Sequence, residues 1–343
     1  MKLVEASGDA RTIGQITGEE LREEIREYLE MVNPSGRHPQ WERTWPAIRG
    51  ALERHVPLVL EEMEGTAEGA DLPLEPILHL NVPMWNFRSD LDLPEGCTNV
   101  AFAAGPDGPI WGKNNDGGPP GEQAPPCARL VRRTDAIPQL NFTFCGMVAT
   151  IDGMNAEGLA VGHSSVGTVF GQSDHHVPIR LWAYEGLMRC RSTAEFVRHM
   201  SAVPTRGKGY ACVVADASGV ICSLESPCPL SQVRMPEAGE DYLNCTNYYQ
   251  LPALAEADMR DPDGKRNAIA RASFLDEWFL GNDRRSLADM KQVLRYHGDP
   301  GICRHGAHDR SHTEYSMIGL CESRKALYLH GYPCEQDYAE VQL

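Results

Sequence analysis

The chain reads Glu95-Gly96-Cys97-Thr98-Asn99-Val100 at the point where a mostly helical first part gives way to strands. Glycine leaves the carbonyl group before Cys97 sterically open and tolerates a strained backbone there. A thiol in this position can attack that carbonyl group, and release of the preceding segment would make Cys97 a new terminus. Its α-amine, with an unperturbed pKa of about 7.7–8.0, would be partly neutral near pH 7. The stretch therefore predicts self-cleavage between Gly96 and Cys97, with Cys97 supplying both nucleophile and base.

A polar cluster follows shortly after Cys97 and reads Gly112-Lys113-Asn114-Asn115-Asp116-Gly117. Asp116 suits a general acid or base, or a carboxylate that holds the freed amine, although an Asp-Gly pair is also a common turn. Asn247 ends a predicted strand, where its side-chain amide would donate to a developing oxyanion or simply close the strand.

Two other interpretations stay open. In the first, Cys97 is an ordinary core residue of a scaffold protein, since free cysteine usually behaves as a small buried hydrophobe. In the second, the protein is a metal-dependent enzyme or a metal-binding protein, because four potential zinc ligands occur within ten residues. These ligands are Cys303, His305, His308 and His312.

Composition narrows the choice of partners. The chain has 343 residues, 42% of them hydrophobic, and a formal net charge of −16, which argues against nucleic acid or an anionic membrane as partner. The first residues lack an apolar signal-peptide core, and no apolar run is long enough to span a bilayer. Eleven cysteines without a CxxC pair indicate reduced thiols. We therefore expect a cytoplasmic protein, with no metal or other cofactor in the favoured interpretation.

The order of helical and strand-like segments along the chain predicts the fold. Residues 1–93 are predicted to be mostly helical, with helices near 40–64 and 74–81. After Cys97, strand-like runs are separated by turn residues, and two pairs of helices lie between them. This order favours two sheets packed face to face with helices outside. The predicted hairpins are 98–104 with 109–113, 140–151 with 159–166, 210–215 with 220–225, and 315–320 with 326–330.

Taken together, these residues resemble the isopenicillin-N acyltransferase family of N-terminal-nucleophile hydrolases. Four separated signatures carry the resemblance, and looser matches include Thr246-Asn247, Ile302-Cys303-Arg304, Arg310-Ser311 and Gly331-Tyr332-Pro333. The four are Gly8-Asp9-Ala10-Arg11-Thr12-Ile13-Gly14-Gln15, Gly96-Cys97-Thr98, Gly112-Lys113-Asn114-Asn115-Asp116 and Gly153-Met154-Asn155-Ala156-Glu157-Gly158-Leu159.

The resemblance implies an α+β, four-layer αββα sandwich of two antiparallel sheets. It implies a precursor that cuts itself into residues 1–96 and 97–343, which stay associated as two subunits. Cys97 would be the nucleophile, Asp116 would orient the amine or thiol, Asn247 would serve the oxyanion, and Arg310 would fix the charge network.

Function follows from the same resemblance. It implies cleavage of a linear amide, or transfer of its acyl group, through an acyl-enzyme on Cys97, with a small-molecule amide or thioester as substrate. The chain departs from the family pattern around Asp116, since Asn115 and Gly117 stand where the acyltransferase carries aromatic residues. Asn114, Asn115 and Gly117 are therefore candidates for an altered substrate pocket.

Overall fold

The computed structural model describes residues 1–32, 41–82, 96–306 and 311–343. Within them, the helices are α1 (Ala10–Glu20), α2 (Arg22–Val32), α3 (Trp41–His55), α4 (Pro57–Gly69), α5 (Leu74–Asn81), α6 (Ile179–Arg189), α7 (Thr193–Met200), α8 (Pro262–Phe279) and α9 (Leu287–Leu294). The strands are β1 (Lys2–Gly8), β2 (Thr98–Phe102), β3 (Ile110–Gly117), β4 (Pro126–Arg133), β5 (Gln139–Phe144), β6 (Gly153–Asn155), β7 (Ala160–Ser165), β8 (Val177–Pro178), β9 (Thr205–Arg206), β10 (Tyr210–Ala215), β11 (Ile221–Ser226), β12 (Gln232–Arg234), β13 (Tyr242–Cys245), β14 (His312–Leu320), β15 (Lys325–His330) and β16 (Ala339–Gln342).

Two large sheets organise this described part of the chain. The larger has the strand order β1-β4-β5-β6-β7-β10-β11-β12, and the smaller has the order β13-β2-β3-β14-β15-β16. Neighbouring strands are antiparallel in both sheets, except that β1 runs parallel to β4. The predicted hairpin of β2 and β3 lies inside the smaller sheet, with β13 beside β2 and β14 beside β3. Gly96 and Cys97 come immediately before β2.

Three buried clusters define the layers. Trp111 and Met317 of the smaller sheet pack against Phe142 of the larger sheet, which places one core between the sheets. A second core joins the larger sheet to helices α2–α7. A third joins the smaller sheet to α8 and α9, for example through Phe102 and Met290. The predicted αββα sandwich of α+β class is confirmed.

The N-terminal segment is built into this sandwich. Although it was predicted to be mostly helical, it begins with β1, which pairs along its length with β4. Helix α1 approaches α4 so closely that a Cβ on Gly14 would lie 2.1 Å from the Glu62 carbonyl oxygen. Glu62 also forms a buried ion pair with Arg129 of β4. The segment before Cys97 is thus held by strand pairing, helix packing and charge.

Some predicted boundaries are wrong. The helical region predicted near 40–64 consists of two helices, α3 and α4, because Pro57 starts a new helix. The strand predicted over 140–151 ends at Phe144, and the predicted turn at 152–158 contains the short strand β6. In the described residues, every helix is too short or too polar to cross a membrane.

Candidate active site

Cys97 lies immediately before β2 and is 4% exposed. Its Sγ atom is 3.6 Å from Oδ1 of Asn115 and 4.0 Å from the carbonyl oxygen of Asp116. The antiparallel hairpin explains this meeting, because Thr98 at the start of β2 pairs with Asn114 near the end of β3. The structure therefore brings the predicted nucleophile and the predicted polar cluster together.

Arg271 holds the backbone of Cys97. This fully buried arginine of α8 donates through Nη1 to the Cys97 carbonyl oxygen at 2.8 Å and to Oγ1 of Thr98 at 2.8 Å. Its Nη2 donates to Oδ1 of Asn247 at 2.9 Å. Arg271 was not among the predicted site residues. The signal in the sequence is an arginine on the same helix face as the apolar Ala268, Ala272 and Leu275, which are buried.

Asn247 is thereby connected to Cys97 through Arg271. Its Nδ2 donates to the Ser165 carbonyl oxygen at 2.8 Å. A side-chain amide carries two N–H donors, so this bond uses one of them. The second is the donor that the predicted oxyanion role requires.

Asp116 is buried and has few partners. Its Oδ1 accepts a hydrogen bond from Oγ1 of Thr313 at 2.7 Å. Within the residues that the structure describes, its Oδ2 has no hydrogen-bond partner. Burial raises the pKa of Asp116 to about 6, against the opposing effects of Arg304, the Thr313 hydrogen bond, Arg271 and Lys113. The carboxyl group can therefore gain or lose a proton near neutral pH, and it has an oxygen ready for a new donor.

Arg304 lies against Gly96. A Cβ on Gly96 would be 2.2 Å from Nη1 of Arg304 and 2.9 Å from Oγ of Ser311, so no larger residue fits without displacing the guanidinium group. The same Nη1 donates to Oδ1 of Asn267 at 3.0 Å. Burial and repulsion from Arg304 lower the pKa of Arg271. Two buried guanidinium groups thus flank the Gly96–Cys97 peptide bond.

Arg304 places a positive charge beside Gly96. The sequence matched Arg304 only loosely and gave the charge-network role to Arg310. Arg310 lies outside the described residues, so its role stays a prediction.

The predicted pocket residues have different surroundings. Asn115 contacts the thiol and donates through Nδ2 to Oε2 of Glu314 at 2.8 Å. Asn114 instead donates to the carbonyl oxygens of Leu294 and Ile302, both at 2.9 Å, which joins the sheet to the outer helical layer. Gly117 packs against the Glu314 carboxylate. Of the three residues, Asn115 is the one placed at the nucleophile.

A second buried charge cluster joins the two sheets. Lys113 of β3 donates through Nζ to Oδ2 of Asp152 at 2.5 Å, and Nδ1 of His163 lies 2.8 Å from Oδ1 of the same carboxylate. Burial lowers the pKa of His163 to about 4, so this imidazole is neutral at pH 7. Burial alone would raise the pKa of Asp152, but His163 and Lys113 lower it overall.

The residues of the alternative metal site are divided in space. Cys303 and His305 lie together with Cys334, which sequence analysis had not included. His312 is turned to Tyr332, with its Nδ1 2.7 Å from the phenol oxygen. His308 lies outside the described residues.

Comparisons with known proteins add the following. No protein-family model and no curated protein matches the chain. Among solved structures, it is similar to an N-acylethanolamine-hydrolyzing acid amidase ortholog from Caenorhabditis elegans, with 15% identity and a TM-score of 0.48 over 66% of this chain and 93% of that chain. Penicillin V acylase from Agrobacterium tumefaciens gives 14% identity and a TM-score of 0.45, over 68% of this chain and 83% of that one.

A mutant conjugated bile acid hydrolase from Clostridium perfringens gives 14% identity and a TM-score of 0.48, over 72% of this chain and 92% of that one. At this level of similarity no activity transfers between proteins. The residues of this chain must therefore decide its function.

Proposed function

We propose that the chain is an N-terminal-nucleophile hydrolase that cuts itself before Cys97 and then cleaves a small-molecule amide through a Cys97 acyl-enzyme. The observation that carries the proposal is the packing of Gly96 against Arg304, directly before a thiol that contacts Asn115. The polar and charged surroundings of this thiol favour a reactive cysteine over a core residue, because reactive cysteines sit in electropositive microenvironments.

Self-cleavage follows from this arrangement. The Cys97 thiolate attacks the Gly96 carbonyl carbon, and the C–N bond of the peptide breaks as the nitrogen takes up a proton. The resulting thioester between Gly96 and Cys97 is hydrolysed by water, which releases the Gly96 carboxylate and restores the thiol. Cys97 then carries a free α-amine.

Asp116 is the proposed partner of the new amine. Its Oδ2 is the unpartnered oxygen of a buried carboxyl group, and an ammonium or amine N–H is the donor that would complete it. Thr313 holds the other oxygen, which fixes the orientation of the group. Asp116 therefore orients the amine that serves as the base.

Substrate turnover uses the same groups. The amine takes the thiol proton, and the thiolate attacks the amide carbonyl group. The second N–H of Asn247 stabilises the oxyanion, a contribution that is typically worth about 10²–10³ in rate. The amine product leaves with the proton, and water releases the acid from the thioester. We favour hydrolysis over acyl transfer, since transfer needs a site that excludes water.

The fragments 1–96 and 97–343 are proposed to stay associated. Strand β1 pairs with β4 from Lys2 to Gly8, and the buried Glu62–Arg129 ion pair crosses the same division. Cutting one peptide bond removes none of these contacts. Separation of the fragments would expose the apolar core between the larger sheet and its helices.

Intact mass spectrometry of freshly expressed protein tests self-cleavage first. We expect two fragments divided between Gly96 and Cys97 for the unmodified chain, and one uncut chain for Cys97→Ala. Cys190→Ala is the matched control, because Cys190 is 5% exposed and lies in the outer helical layer away from Cys97. An uncut unmodified chain, or cleavage in Cys97→Ala, would refute the proposed maturation.

Hydrolysis is tested with amides that release a chromogenic amine. Cys97→Ala should be inactive, while Cys190→Ala should keep its rate. Adding hydroxylamine tests for the acyl-enzyme itself, because this nucleophile converts an acyl group held as a thioester on Cys97 into a hydroxamate. Full activity in Cys97→Ala would contradict the acyl-enzyme.

A further inference from the structure

A second group of reactive side chains lies beside Arg304. Sγ of Cys303 is 3.5 Å from Nε2 of His305 and 3.5 Å from Sγ of Cys334. Nε2 of His305 and Sγ of Cys334 are 3.2 Å apart. The three ligand atoms thus form a small triangle, although Cys334 comes from a different segment of the chain, after β15.

The size of this triangle matches a tetrahedral metal ion. Zinc binds thiolate sulfur at about 2.3 Å and histidine nitrogen at about 2.0–2.1 Å. At tetrahedral angles, these bonds place two sulfurs about 3.8 Å apart and a sulfur and a nitrogen about 3.5 Å apart. The observed separations lie within a few tenths of an ångström of these values. The sulfur–sulfur distance of 3.5 Å is far longer than a disulfide bond of about 2.05 Å.

Neighbouring groups hold the ligands in this position. The amide nitrogen of Cys303 donates to the Tyr296 carbonyl oxygen at 2.7 Å. The His305 ring stacks on Tyr332 with its centroid 4.0 Å away, and the phenol oxygen of Tyr332 lies 2.7 Å from Nδ1 of His312. These contacts fix the backbone of Cys303 and the plane of the His305 ring.

We propose that Cys303, His305 and Cys334 bind one metal ion of the zinc class. Two thiolates and one imidazole suit zinc and other soft or borderline metals, and they do not suit calcium or magnesium, which take oxygen ligands. Three protein ligands leave a fourth position for water or a further side chain. The favoured sequence interpretation, which expected no metal, would then be incomplete.

The ion acts as a clamp on the active site. Arg304 stands between two of the ligands, its amide nitrogen donates to Oγ1 of Thr313 at 2.9 Å, and that hydroxyl group donates to Asp116. A metal joining residues 303–305 to Cys334 therefore restricts the backbone that carries Arg304 to Gly96. The effect of this restriction on the Gly96–Cys97 bond rests on the proposed self-cleavage, whereas the proposed metal binding does not.

Zinc titration of the full-length Cys97→Ala chain tests the site, because this variant separates metal binding from self-cleavage. After metal removal with a chelator under reducing conditions, zinc chloride is titrated in competition with a chromogenic chelator. We expect one tight site per chain. Loss of a residue that only supports a metal ligand typically costs about 10–100-fold in metal affinity. Loss of a ligand should cost more, so Cys303→Ser and Cys334→Ser should each weaken zinc binding by more than about 100-fold. Cys190→Ser is the matched control and should bind as before.

Cobalt chloride provides a second measurement. Bound at two thiolates, cobalt gives an intense sulfur-to-metal charge-transfer band, which should weaken in Cys334→Ser because only the Cys303 thiolate remains. No tight zinc site, no charge-transfer band in the unsubstituted site, or unchanged affinity in both serine variants would overturn the proposal.

The clamp is tested by following self-cleavage of the chain as it is synthesised in a metal-depleted cell-free translation mixture, with and without added zinc. We expect zinc to speed the appearance of the two fragments at least several-fold in the chain with Cys97, and to have no such effect in Cys334→Ser. Tight zinc binding with an unchanged cleavage rate would overturn the clamp and leave the metal site standing. A chain that binds zinc but never cleaves would refute the proposed maturation instead.

Discussion

Asp116 and Asp152 are two buried carboxyl groups with opposite environments. Asp152 is fully buried, and its Oδ1 accepts from the His163 backbone at 2.9 Å in addition to its contacts with the Lys113 and His163 side chains. Asp116 is 3% exposed and, among the residues that the structure describes, accepts one hydrogen bond, from Thr313. The pKa of Asp152 is held below its usual range, whereas that of Asp116 is raised to about 6.

The difference shows which carboxyl group stabilises the fold and which is available for chemistry. Burial disfavours the charged form of both carboxyl groups and so raises both pKa values. For Asp152, the direct contacts with Lys113 and His163 outweigh this effect. The cations near Asp116 donate no hydrogen bond to it in the described structure; they are Arg304, Arg271 and Lys113.

The largest expected effect is on stability, in Asp152→Asn. Removing this carboxylate leaves the ammonium group of Lys113 buried without its counter-ion, which typically costs about 3–5 kcal/mol. Asp116→Asn should change the free energy of unfolding little or raise it at pH 7, because its charge is already disfavoured by burial. Urea denaturation of the Cys97→Ala background, with each substitution added, measures both.

A double variant separates charge from packing. Lys113→Met with Asp152→Leu should recover much of the stability lost in Asp152→Asn, since replacing a buried pair by apolar groups is often neutral. If Asp116→Asn proves as destabilising as Asp152→Asn, the division of roles between the two carboxyl groups is wrong.

The next effect is on activity, in Asp116→Asn. A positioned acid, base or amine partner typically contributes about 10²–10⁴ in rate, so self-cleavage and amide hydrolysis should each slow by at least 10². Asp337→Asn is a suitable control, because the Asp337 side chain is 99% exposed and lies on the surface. Rates come from fragment appearance in mass spectrometry and from amine release. Normal rates in both assays would exclude Asp116 from the mechanism.

The part of the site that lies within one hairpin could be predicted from the sequence. Cys97 and Asn115 meet through one hairpin whose turn, Gly105-Pro106-Asp107-Gly108, is visible in the sequence. Arg271 comes from a helix 174 residues further along, and its approach depends on how α8 packs on the sheet. Cys334 likewise joins Cys303 across 31 residues. No local pattern encodes these contacts.

The fold shows the same division. Strand-like runs with clear turns predicted both sheets, and the helical segments between them predicted the outer helices. In the structure, Ser286 begins α9 with a capping box. Strand β1 was missed because only Val4 and Ala6 of its seven residues are buried, so its apolar pattern is short. It is formed by pairing with β4, a partner more than a hundred residues away.

The smallest expected effect is a dependence of stability on pH that belongs to Asp116. In the unfolded chain an aspartate titrates near about pH 3.9, and in the folded chain this one titrates at about 6. The folded state therefore holds the proton more tightly, so its contribution to stability is complete below about pH 4 and is lost as the pH rises through 6. The full difference amounts to about 3 kcal/mol.

The effect is isolated by subtracting the pH profile of Asp116→Asn from that of the parent chain, both in the Cys97→Ala background. The difference in the free energy of unfolding should fall between about pH 4 and 6 and be flat above it. Asp152 contributes in the opposite direction, since a lowered pKa gives stability that is lost only as the pH falls below the unfolded value. A difference curve that instead rises with pH would mean that Arg304 and Arg271 outweigh burial, and that Asp116 is a second charged anchor like Asp152.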